Sequence, residues 1–227
     1  MNITWLGQAG LLFEKDGLSI MIDPYLSDSV VKVNPANARR VPVDERFLSV
    51  SPDVMIFTHD HLDHYDPETA PLFLHRQEKA MTVLCPSSVW KKARTEGGGH
   101  NYVQFNRGCE WTEQGVRFRA VHAEHSDDFA IGVIIEDLKE GKTYYVTGDT
   151  LYHRDIFPEL PEKIDVIFLP VNGVGNNMNM TDAARFVRKC GAKTAVPCHF
   201  GLFDGLDAQA FACENKVVPR FFEEIPL

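Results

Sequence analysis

The segment Thr58-His59-Asp60-His61-Leu62-Asp63-His64 follows directly on an apolar run that begins at Asp53. A short apolar run bounded by polar residues reads as a buried strand. A fold that accepts this sequence must therefore end a core strand where three histidines and two aspartates fall within six residues. A polar surface turn has no structural need for such a set. If the chain stays extended, alternate residues project the same way, so His59 and His61 can grip one ion while Asp63 and His64 face a second position. Imidazole and carboxylate are the donors expected for zinc, manganese or iron.

One loop cannot fill two coordination shells, so further donors are expected at the ends of other strands. His122 and His125 follow the run Val116–Val121, Asp149 follows Tyr144–Thr147 within Gly148-Asp149-Thr150, and His199 follows Thr194–Cys198. Each is a polar residue at the end of an apolar run, where loops gather into sites. His75, His100 and His153 are expected to be solvated or structural, with His153 alone lying close to a metal loop.

The rest of the chain reads as strands and helices in a consistent rhythm. Strands are expected at 2–6, 11–15 and 18–22, the last two joined by an Asp16-Gly17 turn, then at 53–58 and 81–85. Others follow at 101–105, 116–122, 129–136, 143–148, 164–170 and 194–199. Helices are expected at 67–80, starting on Pro67 and interrupted near Pro71, and at 86–96, stopped by Gly97 to Gly99. A third covers 181–190, with Thr181 as cap and Gly191 as stop. The stretch from Asp23 to Pro52 holds four prolines and reads as a long functional loop. Many early strands, then strand–helix alternation in both halves, imply two sheets with helices packed outside.

Nothing in the 227 residues marks a seam, so one domain over 1–227 is expected. Lys and Arg number 23 against 32 Asp and Glu, a net charge of −9 that argues against a nucleic-acid partner. No apolar run approaches the ~18 residues of a membrane span, and the first residues lack the features of a signal peptide. Five scattered cysteines form no CxxC pair, which fits reduced thiols in a cytoplasmic protein. No GxSxG elbow and no glycine-rich phosphate loop competes with the histidine cluster for the chemistry.

Taken in order, WLGQAG, IDPYLSDS, THDHLDHYD, HAEHSDDFAIG, YVTGDT and PCHFG resemble the metallo-β-lactamase superfamily over essentially the whole chain. Within it the chain looks most like the L-ascorbate-6-phosphate lactonase group, through DPYLSDS, NPANARRVP and the GDT followed by Tyr152 and His153. The resemblance implies an α/β fold, a four-layer αββα sandwich of two mixed β-sheets flanked by helices, with two divalent ions (Zn or Mn) between the sheet edges. It implies that one ion takes His59, His61 and a histidine of HAEHSDD, the second takes Asp63, His64 and His199, and Asp149 bridges them. His125 is preferred to His122 for the shared motif position because it precedes Ser-Asp; the other residue would be an alternative ligand or orient one.

The implied activity is a metal-dependent hydrolase that uses a metal-bound hydroxide, with Asp63 orienting the nucleophile. A small anionic lactone or ester is the expected substrate, with Arg39, Arg40, Tyr65 and the loop Asn172–Asn179 as candidate contacts. A phosphodiesterase acting on a phospholipid or nucleotide ester is the nearest alternative. A non-catalytic metal-binding protein is the alternative of a different class. A homo-oligomer is compatible with all three.

Overall fold

The computed structural model describes residues 1–76 and 78–227. Strands β1 (Asn2–Gly7), β2 (Gly10–Lys15), β3 (Leu18–Ile22), β4 (Val54–Ile56), β5 (Thr82–Cys85) and β6 (Asn101–Gln104) form one sheet in that order. β1 to β3 pair antiparallel and β3 to β6 parallel. The second sheet comprises β7 (Glu110–Glu113), β8 (Val116–His122), β9 (Ile131–Asp137), β10 (Lys142–Val146), β11 (Val166–Pro170) and β12 (Thr194–Cys198). There β7 to β10 are antiparallel and β10 to β12 parallel.

Period-two alternation decides which side of each strand faces which layer. In β2 to β4, Leu11, Phe13, Ile20, Ile22, Val54 and Ile56 enter the large core between the sheets. Their alternates Leu12, Met21 and Met55 join a second core under helices α1 (Thr69–Leu74) and α2 (Ser87–Glu96), with Phe73, Leu74, Val89 and Ala93. Phe13 meets Tyr144 and Phe168 of the opposite sheet edge-on at 5.7 Å. Full burial of such a ring contributes about 1.5–3 kcal/mol. The outer face of the second sheet is covered by α3 (Met180–Cys190), whose Phe186 ring lies 6.3 Å from that of Tyr145. The result is the expected four-layer αββα sandwich.

Several local expectations differ. The helix expected at 67–80 is reduced to α1, and Pro71 sits in its first turn rather than interrupting it. A first-turn residue has no intrahelical acceptor for its N–H, so proline is tolerated there. Gln77, within the expected span, lies outside the described residues. Helix α3 is capped by Asn179 instead of Thr181: its Oδ1 accepts from Thr181 N (2.9 Å) and Asp182 N (3.0 Å). Edge strand β7 went unread because its sequence Glu-Trp-Thr-Glu is mostly polar and only half-buried. The stretch 23–52 is a loop with three 3₁₀ turns, Ser29–Lys32, Pro35–Asn37 and Glu45–Ser49. Among the described residues no helix is long and apolar enough to cross a membrane.

Strand direction positions the site. Within the first sheet β1, β3 and β4 run the same way, and within the second β8, β10, β11 and β12 do. The residues following them, Gln8, Asp23, His59–His64, His125, Asp149, Asn172 and His199, therefore gather at one end of each sheet. His199 N donates to Gln8 O at 2.8 Å and joins the two edges.

Candidate metal centre

The loop after β4 bends so that His64 N and Tyr65 N both donate to His61 O, at 3.0 and 2.8 Å. This turn points His59 and His61 to one side and Asp63 and His64 to the other. His59, His61 and His125 form one group whose donor atoms lie within 4.8 Å of one another, and Asp63, His64 and His199 form another. His125 Nε2 is 3.1 Å from His61 Nδ1, and the His59 ring is 4.6 Å from both. Asp149 faces both sides: it groups with His59 and His64, with Oδ1 3.3 Å from His64 Nε2 and Oδ2 3.1 Å from His199 Nε2. All seven donors named from the sequence thus converge.

Two observations show that this cradle suits cations. The buried Nε2 atoms of His59 and His64 have no hydrogen-bond partner among the described residues, although His64 Nε2 is close to Asp149. A buried imidazole nitrogen left without a partner costs about 1–3 kcal/mol, and an ion bound there removes that cost. The second observation is electrostatic. Burial disfavours ionisation of Asp149 and Asp63, but His199 and His64 outweigh it and hold both carboxyls below the usual range. Burial opposes charging of His199, yet Asp149 and Asp63 push it up to about 10. His64 is raised too, against burial, by Asp149 and Asp23. His59 moves the other way because burial and its imidazole neighbours disfavour its charged form. A centre that draws protons onto its imidazoles is one where divalent ions would supply the missing positive charge.

Five supporting residues escaped the sequence reading or entered it in another role. Asp23 accepts Thr58 N at 2.8 Å, Thr58 Oγ1 at 2.5 Å and His64 Nδ1 at 2.8 Å, which leaves His64 Nε2 facing the centre. Thr58 is itself one of these five. Gln8 Nε2 donates to Asp63 Oδ2 at 2.8 Å and lies 3.1 Å from His199 Nδ1. Asn177 Nδ2 donates to Asp149 Oδ2 at 2.8 Å, and Asn172 Nδ2 is 2.9 Å from His199 Nδ1. Such partners orient ligand side chains. The available signal was positional: Asp23 follows β3 as His59 follows β4. His199 has φ +58 and Gly148 φ +61, left-handed backbone at two ends that present donors.

Other candidates lie elsewhere. His122 joins neither ligand group: its Nε2 is 3.2 Å from Glu124 Oε2, in a separate cluster with His153. Tyr65 is buried against Phe57, and its hydroxyl donates to Glu96 at 2.6 Å, away from the centre. Arg39 donates to the carbonyls of Tyr25 (2.9 Å) and Val41 (3.1 Å), so it braces the 23–52 loop. Arg40 is exposed beside the loop after His199, its N–H bonded to Leu202 O at 2.8 Å.

Comparison with known proteins agrees with this fold. Residues 19–200 match the family described as the β-lactamase superfamily domain. A UPF0173 protein of Pyrococcus furiosus is 30% identical over 215 residues, covering 94% of this chain and 90% of the relative. A UPF0173 metal-dependent hydrolase of Exiguobacterium sp. is 31% identical over 229 residues, covering 93% and 92%. The solved structure of Igni18, a metallo hydrolase from Ignicoccus hospitalis, superposes with a TM-score of 0.76 at 20% identity over 98% of this chain and 96% of that one. The histidine and aspartate cradle, the four-layer sandwich and these likenesses together make the chain a member of the metallo-β-lactamase superfamily, in its UPF0173 family of metal-dependent hydrolases.

Proposed function

We propose that the centre holds two divalent ions and hydrolyses a small anionic lactone or ester. The observation that carries this reading is the convergence of seven donors around the buried Nε2 of His59, which has no hydrogen-bond partner among the described residues, and the Nε2 of His64, whose polar neighbour is Asp149. Bound there, divalent ions lower the pKa of water toward about 7 and polarise a substrate carbonyl. His59, His61 and His125 would hold one ion, Asp63, His64 and His199 the other, with Asp149 between them. Asp63 is held through Oδ2 by Gln8 and His199, so its Oδ1 is the atom available to orient the attacking water. The exposed side chains of Leu62, Phe129, Leu151 and Val174, all on or beside the donor loops, support an apolar flank on the same substrate.

The test is a substrate panel run on metal-free protein and on protein reloaded with zinc or manganese. A phosphorylated sugar lactone is expected to open faster than its uncharged analogue, with activity lost in chelator and restored by metal. Cleavage of phosphodiesters with lactones left intact would replace this reading with the phosphodiesterase. Absence of turnover across esters, lactones and phosphodiesters in fully loaded protein would favour a binding role.

A further inference from the structure

We infer that His122, Glu124 and His153 form a separate site for a divalent transition ion, zinc-like in its preference, beside the main centre. The three come from two loops: His122 ends β8, Glu124 follows it, and His153 lies beyond Asp149 in the loop after β10. Their donor atoms lie within 4.8 Å of one another. His122 Nε2 is 3.2 Å from Glu124 Oε2, and His153 Nδ1 is 3.8 Å from the same oxygen. Donors placed tetrahedrally 2.0–2.1 Å from zinc are about 3.3 Å apart, so only small side-chain shifts close this set around an ion. Two imidazoles and a carboxylate are a complete protein contribution for a site with an open fourth position.

The loops are already fastened to each other. Glu124 N donates to Thr150 Oγ1 and Leu151 N donates to Glu124 O, both at 2.8 Å. The donors are therefore presented by a braced backbone, which reduces the ordering cost of binding. Among the described residues Glu124 has no lysine or arginine partner, and a half-exposed histidine–carboxylate contact is worth little by itself. His153 Nδ1 also accepts from Asp155 N, but at 3.4 Å that bond is long and is readily given up to an ion. Because Glu124 adjoins His125 and His153 follows Asp149 by four residues, an ion here clamps together two loops that serve the main centre.

Tag-free full-length protein is dialysed to equilibrium against a rising series of zinc concentrations, and bound metal is counted by elemental analysis. Wild-type protein is expected to bind one zinc more than either H122N or H153A, whose folds are checked by circular dichroism. Using one variant from each loop keeps the result independent of any single folding defect. Equal zinc counts in wild-type protein and both variants overturn the site. If the total is lower than the main centre requires but the variants still lose one equivalent, the two-ion reading of that centre fails and this site stands.

Discussion

Asp23 offers the sharpest test of how the centre is built, because one buried carboxylate serves three donors. Asp23→Ala would remove the acceptor of Thr58 N–H, the Thr58 hydroxyl and His64 Nδ1–H, leaving only the contacts of Thr58 Oγ1 with His59 Nδ1 (3.1 Å) and His64 Nδ1 (3.4 Å). At about 1–3 kcal/mol for each buried orphan, that approaches the whole stability of a typical domain. Asp23→Asn is the cleaner perturbation. Its amide oxygen can keep the Thr58 N–H bond, while its NH₂ group takes the place of Oδ2 and now faces His64 Nδ1. To accept that hydrogen bond, His64 must carry its proton on Nε2, the atom 3.3 Å from Asp149. A protonated Nε2 cannot ligate an ion. The expected loss is about 10–100-fold in zinc affinity at the Asp63–His64–His199 position, equivalent to about 1.4–2.8 kcal/mol. Replacing a charge-assisted hydrogen bond by a neutral one also costs chelated protein about 1.5–3 kcal/mol at most. Competition with a chromophoric chelator measures the two affinities, and nitrogen-detected NMR of the imidazole reads the tautomer. Unchanged affinity at both positions, accompanied by a stability loss, would refute the orienting role and leave Asp23 as a purely structural acceptor.

Three further outcomes follow from the same structure. His199 is pushed up to about 10 by Asp149 and Asp63, and His64 is raised as well, so before metal binds both imidazoles hold a proton more tightly than a free one. Loading zinc should release protons from them, seen as buffer-dependent heat in calorimetry, and affinity should fall as pH is lowered. Gly148→Ala places a Cβ 2.7 Å from Ile131 O at φ +61. A cost of about 2 kcal/mol or more, roughly 4–8 °C in melting temperature, should accompany weaker metal binding through the displaced Asp149. Buried Asp137 pairs with Lys15. Its lowered pKa contributes stability above the ordinary 3.8 that is lost as pH falls through the folded value. Lys15, raised from 10.5, contributes below that value and loses its share as pH rises through its folded pKa. Asp137→Asn should therefore destabilise at pH 7 in urea unfolding, with the difference shrinking below pH 3.8.

The donors were legible before the fold because their chemistry is local in sequence. His59, His61, Asp63 and His64 stand in one loop, and apolar runs before Asp149 and His199 marked those residues as strand ends. The apolar runs at 53–58 and 164–170 likewise read as buried strands, since a segment apolar on both sides of its pleat is covered on both faces. Elements with a weak or mixed signal were read less well. The polar edge strand β7 shows no apolar face, and α1 ends at Leu74 although helix-forming residues continue past it.

What the tertiary structure decided is the choice between residues of equal local promise. His122 and His125 are both histidines at the same strand end. Only the crossing of the loops after β4 and β8 sends His125 to His61 and leaves His122 with Glu124. Asn172 and Asn177 looked like substrate contacts but hold His199 and Asp149, because strands paired in parallel bring their loops to one edge. Asp23, Gln8 and Thr58 gain their roles by the same convergence, over as many as 191 residues of sequence between Gln8 and His199. The residue types needed to hold metal are written into the chain as composition and spacing. Their partnerships arise from strand order and direction, which short-range pattern does not encode.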